Sequence, residues 1–416
     1  MKSGSIRGRR RRFRRGPRPL QHPVFRRVLG VSVFGHLVRF VDFTVTAWLI
    51  VQQTDNSTAV GLLVFFRIIP FLVFGPFLGD LLDRFPRSNV FRSTQLGLSI
   101  LGVGFAISVF AGLATPTVIY LYTFLVGSMM MAEIPSRRAY ISSIIGPAAL
   151  GSALALEMVS LNLAWFVGSN FGGGIVRFVD PEYAYFAIGL TYSANFISLR
   201  NLPAMFRART AEPRTNPITA ISEGFRFASS NPAIFACLLV VGVNNFFGYA
   251  FESMAPAFAS NVYGAGPTEF GFLMSAQGFG ALGTAFYISL RGRRIRNPGL
   301  LLLAAAMIQA IGSIGFSYTT TVSAGFAAIA ALGLISTVFG ITHTLLILTL
   351  TPMNMRGRVM GFQVLMMGFY PLGSLALGIV GDAIGLGQAV RVFALIGLAL
   401  FAIIWVRYPA LRKLPG

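Results

Sequence analysis

Apolar residues in this chain neither alternate nor form stripes; they run. Apolar stretches fall near residues 28–53, 60–82, 91–114, 116–135, 148–171 and 183–202, and again near 232–258, 268–290, 298–317, 322–350, 360–381 and 389–408. Each approaches the roughly 20 residues that a helix needs to cross about 30 Å of hydrocarbon. Helices apolar on every side belong in lipid, and short polar breaks join them. The pattern predicts an all-α membrane protein with 12 transmembrane helices in two pseudo-symmetric six-helix lobes. The first stretch is long and runs directly into a polar loop (Gln52, Gln53, Thr54, Asp55, Asn56), which argues against a cleavable signal peptide.

Residues 203–231 interrupt the pattern with Pro203, Pro213 and Pro217 beside Arg207, Arg209 and Arg214. They divide the chain into a basic tail (1–27), a first lobe (28–202), a linker (203–231), a second lobe (232–408) and a short end (409–416). The halves echo each other. The basic loop around Arg84 and Arg87 has a counterpart in Arg291 to Arg294, and Arg137-Arg138 has one in Arg356-Gly357-Arg358. The fifth and eleventh stretches are both glycine-rich. A duplicated six-helix unit is a transporter layout, with substrate handled at the lobe interface near midplane.

Composition agrees: 55% of residues are hydrophobic and 11% charged, against about 25% charged in soluble domains. The net charge of +21 invites a nucleic-acid reading, but its distribution opposes one. With the N-terminus in the cytoplasm, all but four of the 34 basic residues collect on that side, leaving Arg39, Arg67, Arg177 and Arg391. This is the positive-inside bias, and it predicts a multi-pass inner (plasma) membrane protein with both termini cytoplasmic. The Arg-rich tail is expected to set topology and to hold anionic headgroups. Cys237 is the single cysteine, which excludes an internal disulfide and cysteine-rich zinc sites. No nucleotide loop, metal cluster or nucleophile constellation is present in the sequence, so neither an enzyme nor a cofactor is expected.

Gly79-Asp80-Leu81-Leu82-Asp83-Arg84-Phe85-Pro86-Arg87 resembles the signature loop of the major facilitator superfamily, with Pro86 in place of the second glycine and Ser88 in place of the last basic residue. Four further stretches resemble its enterobactin-exporter-like (transmembrane secretion effector) branch. These are Pro135-Ser136-Arg137-Arg138-Ala139, Glu223-Gly224-Phe225-Arg226, Arg356 to Gly361 and Pro371-Leu372-Gly373-Ser374. The resemblance implies two lobes that rock about a central cavity, with a monomer as the working unit. It implies that Gly79, Asp83, Arg84 and Arg87 form a clasp at the cytoplasmic face; ordinary positive-inside loop charges are the plainer reading. Antiporters of the superfamily carry Gly-Pro-x-x-Gly-Gly in the fifth helix, where this chain has Gly168-Ser169-Asn170-Phe171-Gly172-Gly173. Ser169 removes the kinking proline and weakens the inference of export.

A charge at helix centre costs at least about 2.5–3.5 kcal/mol on insertion scales, so each one needs a partner or a task. Arg39 and Asp42 stand at i, i+3 on one face of the first helix, with His36 one turn below; Asp42 either takes up a proton in competition with substrate or forms a static salt bridge with Arg39. Arg67, before Pro70, either attracts an anionic substrate group or braces a neighbour. Glu133 is expected to pair with Arg137 and Arg138. Glu157 has no cation near it in sequence and is a candidate for protonation. Glu252 is expected at the outer mouth of the cavity, and His343 is either a proton shuttle or a packing residue. Asn162, Asn244, Asn245 and Gln277 are candidate cavity polar groups. The expected function is a proton-gradient-driven exporter of small amphipathic molecules, siderophore or drug-like, working by alternating access. A nutrient symporter and a transport-inactive receptor or scaffold are the alternatives.

Overall fold

A computed structural model describes residues 19–54, 56–75, 84–204, 217–291, 297–353 and 355–414. Its helices are α1 (Pro23–Gln53), α2 (Ser57–Phe74), α3 (Arg87–Phe110), α4 (Pro116–Ile144), α5 (Pro147–Phe178) and α6 (Pro181–Ser198). After the linker helix α7 (Pro217–Ser229) come α8 (Pro232–Val262), α9 (Pro267–Arg291), α10 (Pro298–Phe316), α11 (Val322–Leu350), α12 (Arg356–Ile384) and α13 (Leu386–Arg407). The described residues contain no strand. Ten of these helices are long and apolar enough to cross a membrane; α6 and α9 have the length but are more polar.

Local chemistry starts the helices. Proline opens α1, α4, α6, α8 and α10, where its missing N–H costs nothing. Asn56 caps α2 by accepting from Ala59 N at 2.7 Å, Asn231 accepts from Ala233 N and Ile234 N at the start of α8, and Thr321 accepts from Ala324 N at the start of α11. Helix α1 starts at Pro23, earlier than the apolar stretch, so Arg26 and Arg27 of the expected tail stand on its first turns. Two long helices are interrupted: α8 carries π-turn segments at Asn244–Gly248 and Phe258–Val262, and α12 breaks at Gly368.

Packing repeats between the halves. Helix α2 packs on α4, α3 on α4 and α6; correspondingly α9 packs on α11, α10 on α11 and α13. Across the halves α5 packs on α9 and α2 on α12, pairs that exchange under a two-fold rotation. Helix α7 lies against the first half of α12 and pairs Glu223 with Arg358 at 2.8 Å.

The core is shared at one end and divided at the other. At the end away from the termini, one cluster joins residues of both halves, Val45, Ile50 and Leu63 with Phe251, Phe258, Phe270 and Leu377. At the end carrying the termini the halves keep separate clusters, one around Phe25, Phe91 and Tyr140 and one around Ile234, Leu303 and Phe401. The shared end is also stitched by polar contacts. The Asp382 carboxylate, late in α12, accepts from Ser57 N at 2.6 Å, Thr58 N at 3.0 Å and Thr58 Oγ1 at 2.5 Å. It therefore caps the N-terminus of α2 from the opposite half, where the helix dipole favours an anion. Gly173 of α5 and Gly271 of α9 meet backbone to backbone there; a Cβ on Gly173 would lie 2.6 Å from Gly271 Cα.

Candidate functional site: a cavity between the two halves

Between the halves lies a cavity of about 580 Å³. Helical spacing supplies its walls: Arg39, Phe40 and Phe43 of α1, Val64, Arg67, Ile68 and Phe71 of α2, and Leu161, Asn162 and Trp165 of α5. Each set recurs at three- or four-residue intervals, so one face of each helix points inward. The opposite wall carries Asn245, Tyr249 and Glu252 of α8, Gln277 of α9, Ser336 of α11 and Tyr370 of α12. Mostly apolar lining with a few polar groups is the usual make-up of a small-molecule site.

The first-half wall rests on a buried ion network. Arg39 Nη2 donates to Glu133 Oε2 at 2.9 Å, Arg137 Nε to Glu133 Oε1 at 2.7 Å and Arg137 Nη1 to Glu157 Oε1 at 2.6 Å. Arg138, half exposed, reaches Glu157 at 3.4 Å. Arg67 Nη2 pairs with Asp42 Oδ2 at 2.8 Å, and Tyr122 OH donates to Asp42 Oδ1 at 2.5 Å. The buried Arg67 and Arg137 and the mostly covered Arg39 thus meet three buried carboxylates, Asp42, Glu133 and Glu157. Alternation leaves no net charge in the buried set, and that makes it tolerable away from water. Gly127 of α4 lets the α2 backbone approach at Arg67; a Cβ there would collide with the Arg67 carbonyl.

Several expectations are corrected by this network. Arg39 and Asp42 do not pair with each other: helix rotation carries the guanidinium toward α4 and the carboxylate toward α2, and each finds a partner there. Glu157 has cations beside it, because α4 and α5 form an antiparallel turn that brings Arg137 and Arg138 back to its level. Glu252 lines the central cavity rather than the outer mouth, since the first π-turn of α8 precedes it and re-aims the helix. Glu133 holds its local partner Arg137 and also Arg39.

Other candidates fall in separate places. His36 is buried against Ser160 Oγ at 3.1 Å. His343 Nδ1 contacts the Phe339 carbonyl of its own helix at 2.9 Å and stands outside the cavity lining. Asn162, Asn245 and Gln277 line the cavity, whereas Asn244 is buried beside them and does not. Of the expected clasp, Gly79 and Asp83 lie outside the described residues. Arg87 Nη1 donates to the Ala139 carbonyl at 3.0 Å and to Ser143 Oγ at 2.5 Å, tying α3 to α4, and Arg84 is helical just before the bend at Phe85.

On the second-half wall, Gln277 Nε2 donates to Glu252 Oε1 at 2.8 Å and to Ser336 Oγ at 3.1 Å. Among the described residues Glu252 has no ion-pair partner. Sequence reading overlooked Tyr122, Trp165, Tyr249, Ser336 and Tyr370, which carry no charge to mark them, and Asp382, whose position at the end of an apolar stretch resembles that of any loop acid.

Known proteins share this architecture. A bacterial homolog of the human lysosomal transporter Spinster, solved in an inward-facing and unoccupied conformation, superposes with a TM-score of 0.71 at 16% identity, covering 96% of this chain and 100% of that one. A point mutant of the nucleoside transporter NupG gives 0.66 at 14% identity, covering 94% of this chain and 100% of the other. In sequence, the chain is 22% identical to the staphyloferrin A transporter of Staphylococcus aureus over 88% of this chain and 91% of the relative. It is 27% identical to the enterobactin exporter EntS of Shigella boydii over 88% and 84%. Residues 16–414 match the family model described as transmembrane secretion effector, so the chain is a membrane-spanning transporter of the major facilitator superfamily and belongs to its transmembrane secretion effector family.

Proposed function

We propose that this protein is a proton-coupled exporter of small amphipathic molecules of the siderophore or drug-like class, working by alternating access from the cytoplasmic membrane. The observation that carries the reading is the central cavity with the fold around it. Its aromatic and aliphatic lining suits an apolar body, and its few charged groups stand on opposite halves. The shared core at one end and the divided cores at the other match one extreme of a rocking cycle. With basic residues gathered at the end carrying the termini, that end is cytoplasmic and the cavity is accessible from the inside. The names of the relatives, a staphyloferrin A transporter and an enterobactin exporter, support the substrate class and, for the second, the direction.

The coupling site assigned by this reading is Glu252. Asp42, Glu133 and Glu157 each engage an arginine, and protonating any of them strands a buried cation. Glu252 is held by the neutral Gln277 amide, and changing its charge breaks no ion pair. Everted vesicles with an acidic interior and a pH-reporting dye test this directly. Addition of siderophores or lipophilic amphiphiles is expected to release protons in wild type and not in Glu252→Gln. Equal release in Glu252→Gln removes the assignment, and no release with any cargo from inserted protein contradicts coupled export. Uptake of cargo together with protons favours the symport alternative.

A further inference from the structure

The unpartnered polar atoms on the two cavity walls are of opposite kind. On the first-half wall, Arg67 Nη1 and Arg39 Nε are buried donors with no acceptor. The Arg67 guanidinium is otherwise committed to Asp42 and lies over the Phe43 ring. On the second-half wall the buried orphan is an acceptor, Gln277 Oε1. The orientation of that amide follows from its neighbours. A carboxylate of Glu252 accepts only, so the nitrogen must face it, and the oxygen is left over. The Glu252 carboxylate and the Ser336 hydroxyl therefore present acceptors to that side of the cavity, beside Tyr249 and Tyr370, with Gln277 Oε1 enclosed behind them. Buried polar atoms are normally satisfied. What is missing is an acceptor at the arginine wall and a donor at the glutamate wall.

We infer that the cavity is built for a dipolar amphiphile, an apolar body with an acidic group at one end and an amine at the other. The acid lies against the Arg67 and Arg39 side chains that line the first-half wall. The ammonium takes the Glu252 carboxylate. Aromatic faces of Phe40, Phe43 and Trp165 cover the body between them. The inference rests on the transporter reading and deepens it. Because the two charged groups of one molecule reach opposite halves of the protein, the bound substrate bridges the halves. A proton arriving at Glu252 replaces the ammonium and frees that end, so cargo and proton exclude each other at one carboxylate. The exchange balances: one proton is taken up as one ammonium leaves.

A matched set of probes separates this from general hydrophobic binding. 2-Naphthylalanine carries both charges, its methyl ester only the cation, its N-acetyl form only the anion, and N-acetyl-naphthylalanine methyl ester neither. Binding to the purified full-length protein, followed by calorimetry and by quenching of Trp165, which lines the cavity, gives the ranking. The zwitterion is expected to bind about tenfold more tightly than either singly charged probe, the scale of one charge-assisted contact. Glu252→Gln is expected to weaken the zwitterion and the cation and to spare the anion. Arg67→Met combined with Asp42→Asn, which removes both partners and keeps the fold, is expected to weaken the zwitterion and the anion and to spare the cation. A neutral probe that binds as well as the zwitterion overturns the inference, as does an equal loss of all four probes in Glu252→Gln or no binding by any probe to folded protein. The assay reads no flux, so it stands apart from the vesicle experiment. The ranking holding while proton release fails would retain the dipolar site and remove proton-coupled export.

Discussion

At the scale of the residue, placement of charge decides what a substitution does. Arg67 and Asp42 are both nearly enclosed, and removing one leaves the other without a counter-charge. Arg67→Ala is expected to destabilise the protein by about 3–5 kcal/mol, the range for breaking a buried pair. Arg67→Met with Asp42→Asn should recover most of that loss. Thermal unfolding of the purified protein in detergent measures both; a double variant no better than the single one would show that Asp42 is not the partner that matters. The same reasoning ranks two neighbours. Arg137 serves Glu133 and Glu157 and is fully buried, while Arg138 is half exposed with one 3.4 Å contact. Arg137→Ala should therefore lower the unfolding temperature well beyond Arg138→Ala, which should change it little. Sequence alone was enough to mark each of these charges as needing a partner. The partner's identity was legible only where it lay a turn away, as for Glu133 and Arg137. Arg39 with Asp42 satisfied the same spacing rule and failed it, because Glu133 and Arg67, far away along the chain, were nearer in space.

At the scale of the element, two contacts hold the end away from the termini. Asp382 caps α2 from the opposite half, and Gly173 meets Gly271 where α5 crosses α9. Neither belongs to the central cavity. Asp382→Ala removes three hydrogen bonds to one helix terminus, and a lost cap costs about 0.5–2 kcal/mol. Gly173→Val places branched carbons where backbone now stands. Both variants should shift the protein toward the conformation parted at that end without unfolding it. The check is alkylation of a cysteine placed at Thr44, which is buried within the sealed region: faster labelling in either variant is expected, and unchanged labelling would show that these contacts do not hold the end closed. Apolar runs made the existence of most elements legible, and their edges less so. Proline sets the start of α1 at residue 23, inside a stretch too basic to read as span. The first π-turn of α8, which precedes Glu252 and turns it toward the cavity, left no trace in hydropathy.

At the scale of the whole molecule, the two halves behave as bodies that share one core and keep another each. That division, and the exchange of the pairs α5 with α9 and α2 with α12, makes the fold suited to opening at either end in turn. The duplication was visible as paired basic loops and paired glycine-rich stretches; which end is sealed was not, since sealing depends on side chains meeting across halves. Spin labels read this directly. Leu113 and Thr320 lie exposed on opposite halves at the sealed end, and Ser142 and Ser229 lie exposed on opposite halves at the other. Pulsed distance measurements on each pair, in lipid nanodiscs at neutral and acidic pH and with the zwitterionic probe, test the central claim. Alternating access predicts a second population in which the Leu113–Thr320 distance lengthens as the Ser142–Ser229 distance shortens, with pH or probe shifting the two in opposite directions. Distances that stay fixed under every condition, or that lengthen and shorten together, would contradict it.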